Sequence, residues 1–218
     1  MKKRTVIALV LFLLLTTINP QNKVSISKFN LKEVIIENNF LIKEKDINNL
    51  LKPIYEKNLI LLSSSEIENM LTQNDLIEGF KIKKIYPNKI KIKIFEKRPI
   101  AILINKKKKF YLSEKIDLIN FNSLKTNEKF PYIFGSKEKF KKLYNDLNKI
   151  RFPTEIINKY VFYETDRWDL ETINGKIIRL PSSEYLKSLK NYLEIKEKND
   201  FIKYNVFDYR IDNQLILK

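Results

Sequence analysis

Hydrophobic spacing changes along the chain in a way that separates strands from helices. Val34, Ile35 and Ile36 form a β-branched run suited to a strand. Ile47, Leu50, Leu51 and Ile54 fall at i, i+3, i+4 and i+7, which predicts one apolar helix face. Pro53 falls inside that face and should end or kink the helix near Lys52. Ser63-x-x-Glu66 is a capping box ahead of Ile67, Met70 and Leu71, and predicts a second helix. Phe80 and Ile82 then open a strand, while Ile85 falls in the other register, which predicts a bulge across Lys83-Lys84. Tyr86-Pro87-Asn88-Lys89 carries Pro and Asn at the central positions of a type I turn. Ile90, Ile92 and Ile94 alternate with Lys91 and Lys93, as on a strand that turns isoleucines to helices and lysines to water. The order is β-α-α-β-β.

Beyond Pro99 the organisation differs. Residues 99–119 predict a β-meander with Lys106 to Lys109 at a loop; these lysines read as a solvated turn or as a membrane-surface contact. Phe140, Leu143, Tyr144 and Leu147 make a helical stripe after Gly135-Ser136. Asn174-Gly175 lies between two strand-like runs and predicts a hairpin. A helix is expected from Ser182, with Tyr185, Leu186, Leu189, Tyr192 and Leu193 inward, and residues 205–218 should close the chain as two short strands turning near Asp212-Asn213. The predicted class is α+β, with a boundary near Pro99 and an antiparallel sheet in the second part.

The N-terminus adds a third region. Met1-Lys2-Lys3-Arg4 precedes a run without charge from Thr5 to Asn22, apolar from Val6 to Ile18. A secretory signal peptide and an uncleaved transmembrane anchor both have this form; the absence of a small-residue cleavage site favours the anchor. The basic cluster then keeps the N-terminus cytoplasmic and sends the rest of the chain across. The expected divisions are 1–22 for the short cytoplasmic end and transmembrane helix, 24–98 for the β-α-α-β-β unit, and 99–218 for the rest.

Composition removes most catalytic chemistry. The chain of 218 residues has no Cys and no His, which excludes thiol nucleophiles, Cys/His zinc sites and Ser-His-Asp arrangements. Three separated glycines, Gly79, Gly135 and Gly175, leave no glycine-rich phosphate loop. The net charge of +16 favours anionic partners in general. Nucleic acid is a poor candidate for an exported domain, and stacking aromatics are sparse beside Lys91 and Lys93.

The first unit, placed directly after a membrane anchor, resembles a POTRA domain. Its end, "YPNKIKIKIFEKRPIA", resembles the Pro-x-x-strand-Glu-x-x-Pro segment of the FtsQ/DivIB cell-division proteins. Trp168-x-Leu170, Gly175-x-x-Ile178-x-Leu180 and Val206-x-Asp208-x-Arg210 follow in the order of that family's β-domain. The resemblance implies a divisome scaffold without catalytic activity or cofactor. It implies a single-pass protein of the inner membrane at the division septum, with its C-terminal domain in the periplasm. The implied partners are FtsB- and FtsL-like division proteins and other divisome components, through which it helps control septal peptidoglycan synthesis. Some family members carry Tyr where this chain has Ile211.

A terminal strand at a sheet edge leaves backbone groups for a partner strand. On that basis Tyr209, Arg210, Ile211, Asp212, Asn213, Leu215 and Leu217 are the expected partner-binding residues, with Arg167 as a second cation beside Trp168. Arg210 also fits an internal ion pair, and Trp168 fits the core. In the POTRA unit, the helix Glu66–Thr72 and the loop before Gly79 are candidates for contact with other division proteins. The rival classes are an exported hydrolase using two of Glu164, Asp166, Asp169 and Glu171, and a protein that binds an anionic polymer. No metal site is expected.

Overall fold

The computed structural model describes residues 2–16, 26–124 and 126–218, in two compact units, Met1–Glu96 and Lys97–Lys218. Helix α1 covers Lys2–Thr16, with Val6, Leu9, Phe12 and Leu14 all exposed. Its 15 residues span about 22 Å against a hydrocarbon core of about 30 Å. Among the described residues no helix is long and apolar enough to cross a membrane. The expected anchor runs on to residue 22, and 17–25 lie outside the described residues.

The first unit folds as β1 (Glu33–Glu37), α2 (Glu44–Leu51), α3 (Ser64–Leu71), β2 (Ile77–Ile85) and β3 (Lys89–Glu96). β1 lies parallel to the central β3, and β2 pairs antiparallel on its other side. Ile90, Ile92 and Ile94 are wholly buried with Ile47, Leu51, Ile67 and Leu71 of the two helices. Pro53 acts as expected: α2 stops at Leu51, and a 3-10 turn through Lys52–Ile54 keeps Ile54 in the core. At α3, the Ser63 hydroxyl accepts the Glu66 N–H, while the Glu66 carboxylate pairs with Lys57.

Two local expectations are corrected. The β2 register shifts between Ile77 and Gly79, not across Lys83-Lys84, where pairing with β3 is continuous. Lys84 stands opposite Ile90, on the inner face with Phe80 and Ile82, and its ammonium donates to the Leu62 carbonyl at 2.5 Å. A lysine with a backbone acceptor can follow apolar neighbours inward, so no bulge is needed there. The turn is also longer than a two-residue type I turn. Ile85 pairs with Lys89, leaving Tyr86, Pro87 and Asn88 as the loop, with a cis Tyr86–Pro87 bond. The Asn88 carbonyl accepts from Lys32 and Glu33, and so ties this loop to the start of β1.

Glu96 explains why a carboxylate ends this unit. Its oxygens accept the backbone N–H groups of Phe40, Leu41 and Ile42 at 3.0, 2.8 and 2.8 Å. Charged acceptors hold such N–H groups more strongly than neutral ones. Glu96→Ala is expected to cost about 1–2 kcal/mol and to speed hydrogen exchange at the Leu41 and Ile42 amides. Unchanged exchange there would remove this role.

The second unit contains β4 (Pro99–Asn105), β5 (Lys108–Ser113), β6 (Leu118–Asn120), β7 (Tyr132–Phe134), α4 (Lys137–Lys149), β8 (Ile157–Tyr163), β9 (Arg167–Thr172), β10 (Ile177–Arg179), α5 (Tyr185–Ile195), α6 (Asn199–Ile202), β11 (Val206–Asp208) and β12 (Ile216–Leu217). The strands form one sheet in the order β12-β11-β10-β9-β8-β7-β4-β5-β6. The sheet is mixed, not antiparallel as expected: β4 with β7, β7 with β8, and β10 with β11 are parallel pairs. Parallel neighbours need a crossover; α4 supplies one between β7 and β8, and α5 with α6 another between β10 and β11. α5 begins at Tyr185, not Ser182, after Glu184 in the left-handed region. Leu189, Tyr192 and Ile195 of α5 and Phe140, Leu143 and Leu147 of α4 are buried with Ile133, Tyr160, Leu170, Ile178 and Phe207 of the sheet. Trp168 is 5% exposed in that core.

Candidate functional site

Alternation along β9 sends Trp168, Leu170 and Thr172 inward and leaves Arg167, Asp169 and Glu171 on the opposite, outer face. The ladders extend that face across four strands: Asp169 stands opposite Arg179 of β10, Arg179 beside Asp208 of β11, and Asp208 opposite Ile216 of β12. Arg179 reaches both neighbours, at 3.7 Å from Asp169 and 3.4 Å from Asp208. Arg210 closes the cluster with a fork on Asp208, donating from Nε at 2.7 Å and from a terminal nitrogen at 2.5 Å. The Arg210 backbone N–H also donates to Asp208. Arg167 lies over the Tyr163 ring, 4.8 Å from its centre. Arg167 Nε and Asp169 Oδ1 are buried with no hydrogen-bond partner among the described residues.

The two aspartates differ in consequence. The hydrogen bond from the Arg210 side chain, with further help from Arg179, pushes the Asp208 carboxyl down to about 2. Burial pushes Asp169 up, while Arg167, Arg179 and Arg210 pull it back. Asp208 has the lower value in the folded state, so its contribution is present above the usual carboxylate range and is lost as pH falls toward 2. That contribution is about 2 kcal/mol. Asp169 acts with the opposite sign, because its protonation on acidification relieves a burial cost. Asp208→Asn should therefore flatten the stability of the second unit between pH 5 and pH 2, followed by denaturant titration on the fluorescence of Trp168. An unchanged acid slope would deny Asp208 this part.

The expected partner-binding residues gather at this end of the sheet but differ in setting. Leu217 alone lies within β12; Leu215 just precedes it, and Tyr209 to Asn213 belong to the connection from β11. Tyr209 is buried, and its hydroxyl donates to Asn191 at 3.0 Å. Arg210 makes the internal ion pair described above. Ile211, Asp212 and Asn213 are exposed, with Asn213 left-handed and its side chain 3.5 Å from Lys187. Leu215 and Leu217 pack against the core, while Ile216 turns outward.

β12 is one of the two edges of the sheet, the other being β6. Val206 and Lys218 exchange both backbone hydrogen bonds, so the adjoining pair Phe207–Leu217 is the non-bonded type of antiparallel pair. The Leu217 N–H and C=O therefore point away from β11, toward the open side. The outer face continues from the arginine cluster to Tyr163, Phe134 and Tyr132, each 37–39% exposed. These aromatics were missed in the sequence because only the pairing of β8 with β9 and of β7 with β8 brings them onto the face of Arg167. Asp208-x-Arg210 and Arg167-x-Asp169 do carry a signal, since period two places each pair on one face.

The four carboxylates considered for hydrolysis do not converge. Asp166 pairs with Lys139 and Glu171 with Lys159, Asp169 faces Arg179, and Glu164 sits in the β8–β9 turn.

The site is thus a short sheet edge at β12 beside an outer face on which Arg167, Arg179 and Arg210 lie among Asp169, Glu171 and Asp208. Residues 29–97 match the family model described as POTRA domain, FtsQ-type. Curated relatives include the cell division protein FtsQ of Rickettsia bellii (strain RML369-C), 28% identical over 200 residues, covering 87% of this chain and 72% of that protein. FtsQ of Rickettsia felis (strain ATCC VR-1525 / URRWXCal2) is 26% identical over 197 residues, with the same coverage. Among solved structures, the major extracytoplasmic domain of the cell division protein DivIB from Geobacillus stearothermophilus matches at TM-score 0.35 and 18% identity, covering 49% of this chain and 96% of that one. Residues 29–97 thus match an FtsQ-type POTRA domain, and the chain as a whole is similar to FtsQ cell-division proteins over 87% of its length.

Proposed function

We propose that the protein is a non-enzymatic adaptor of the inner-membrane divisome that binds FtsB- and FtsL-like partners and helps control septal peptidoglycan synthesis. Residues 1–22 anchor it, and residues 24–98 and 99–218 work in the periplasm. A partner strand adds to β12 at Leu215 and Leu217, and side chains of the same partner cross the outer face to Arg210, Ile211, Asp212, Asn213 and Arg167. The observation that carries this reading is the outward-facing Leu217 backbone beside the three-arginine cluster. Backbone pairing supplies affinity without regard to side chains, while arginines select carboxylates. Tyr209 serves from beneath, holding the strand connection through Asn191. No cofactor or metal takes part, and nucleic acid is not a partner.

The reading is tested by binding of the intact chain to the periplasmic parts of the FtsB- and FtsL-like proteins from the same cell. Arg167→Glu should weaken binding by about tenfold through charge reversal at the rim, measured beside Arg167→Gln and with melting curves of both, so that loss of contact is read apart from any loss of stability. Full-strength binding by Arg167→Glu would move the partner off the outer face. No binding by the folded parent would end the adaptor assignment.

A further inference from the structure

A second exposed surface lies in the POTRA unit. The run Leu59-Ile60-Leu61-Leu62 buries its outer members completely or nearly so, yet Ile60 and Leu61 are 54% and 83% exposed. The backbone forces this outward turn: the Ile60 N–H donates to Asn58 Oδ1 at 2.9 Å, and the Leu59 and Leu62 N–H groups are bonded to the Phe29 and Asn58 carbonyls. Phe29 also meets Tyr86 of the β2–β3 loop edge-on at 6.5 Å, and Tyr86 is 55% exposed. Two aliphatic side chains and a tyrosine thus share one end of the unit. It is the end where the chain enters, at Ile26–Phe29.

What covers this end follows from the connection. Only residues 17–25 separate the exposed apolar helix α1 from the unit, and nine residues reach at most about 30 Å. A bilayer holding α1 keeps the entry end within that distance at all times, a high effective concentration. Exposed Leu and Ile beside a Tyr suit the boundary between headgroups and acyl chains. The charges around it leave a small cationic excess: Lys28 and Lys32 are exposed, Lys84 donates to the Leu62 carbonyl, Lys57 pairs with Glu66, Lys89 pairs with Glu33, and Glu56 lies in the same loop. The apolar side chains are therefore helped by a modest attraction to anionic headgroups.

We infer that Ile60, Leu61 and Tyr86 form a membrane-docking tip that seats the entry end of the POTRA unit in the lipid interface. This fixes the unit's orientation, so that Phe40, at the opposite end beside Glu96, points away from the membrane. The inference rests on the reading of residues 1–22 as an anchor, and its test separates the two.

The chain has no cysteine, so single cysteines can be placed without removing native ones. Val10→Cys, Leu61→Cys and Phe40→Cys, all at exposed positions, are labelled with a solvatochromic dye. The full chain is then reconstituted alone in vesicles of phosphatidylethanolamine and phosphatidylglycerol that carry a lipid-borne quencher. Val10 and Leu61 are expected to shift to the blue and lose intensity, while Phe40 keeps its aqueous spectrum. Quenching at Val10 but not at Leu61 would overturn the docking tip and leave the anchor standing. Equal quenching at Leu61 and Phe40 would overturn the orientation, and an aqueous spectrum at Val10 would overturn the anchor and the tip together.

Discussion

On the proposed strand-addition reading, Leu217→Pro should bind an FtsB-like protein far more weakly than Leu217→Ala. Both variants lose the branched end of the leucine side chain, which packs against the core of the second unit, and proline, with the larger remainder, loses no more burial than alanine. They differ in the backbone. Leu217 stands opposite Phe207 in a pair flanked by the bonded Val206–Lys218 pair, so its N–H is free for an added strand. Proline removes that donor and leaves β11's bonds in place. A partner carbonyl then enters the interface without its hydrogen bond. The lost bond and the stranded acceptor together amount to about 2–4 kcal/mol, or roughly thirtyfold to several hundredfold in Kd. Titration calorimetry of the two variants side by side reads the difference. Equal affinities would mean that the partner does not extend this sheet.

The second large effect concerns a glycine that serves neither a turn nor a left-handed conformation. A Cβ on Gly135 would stand 2.8 Å from Phe162 Cβ and 3.3 Å from the Trp168 ring. Phe162 and Trp168 are paired across β8 and β9, with ring centres 4.9 Å apart. A Cβ is fixed to its own backbone, so Phe162 cannot rotate away, and relief requires β7 and β8 to separate. Gly135→Ala should cost about 3 kcal/mol and lower the melting temperature by about 10 °C. Because Ser136 caps α4 immediately afterwards, the shift would reach that helix as well. Trp168 is the only tryptophan, and its emission follows the transition directly. A wild-type melting curve would show that β7 can move without cost.

Gly135 illustrates where local pattern stops informing. In the sequence it marks the start of a helix; its need to lack a side chain comes from β8, a strand more than twenty residues away. The same limit shaped the candidate site. Asp208-x-Arg210 and Arg167-x-Asp169 are each on one face by strand period. That Arg179 stands between them depends on β10 pairing with β9 on one side and β11 on the other. The β2 irregularity was misplaced for a related reason: Lys84 looks like a surface residue until the Leu62 carbonyl is beside it.

The sequence by itself determined the elements and their order in the first part of the chain, and in the second the meander, two helices and the terminal strands, but not β7, β8 or α6. It also determined the absence of thiol and imidazole chemistry and the terminal strands that resemble those of the FtsQ/DivIB proteins. These are properties of residue type and spacing within one segment, where the period of side-chain burial is set by helix or strand geometry. The tertiary structure alone decided the parallel pairings, the outward face of Leu217, the fork of Arg210 on Asp208 and the burial of Tyr209. Each of these depends on which distant segment becomes a neighbour, and that is settled by the packing of whole helices across the sheet, not by any local run of residues.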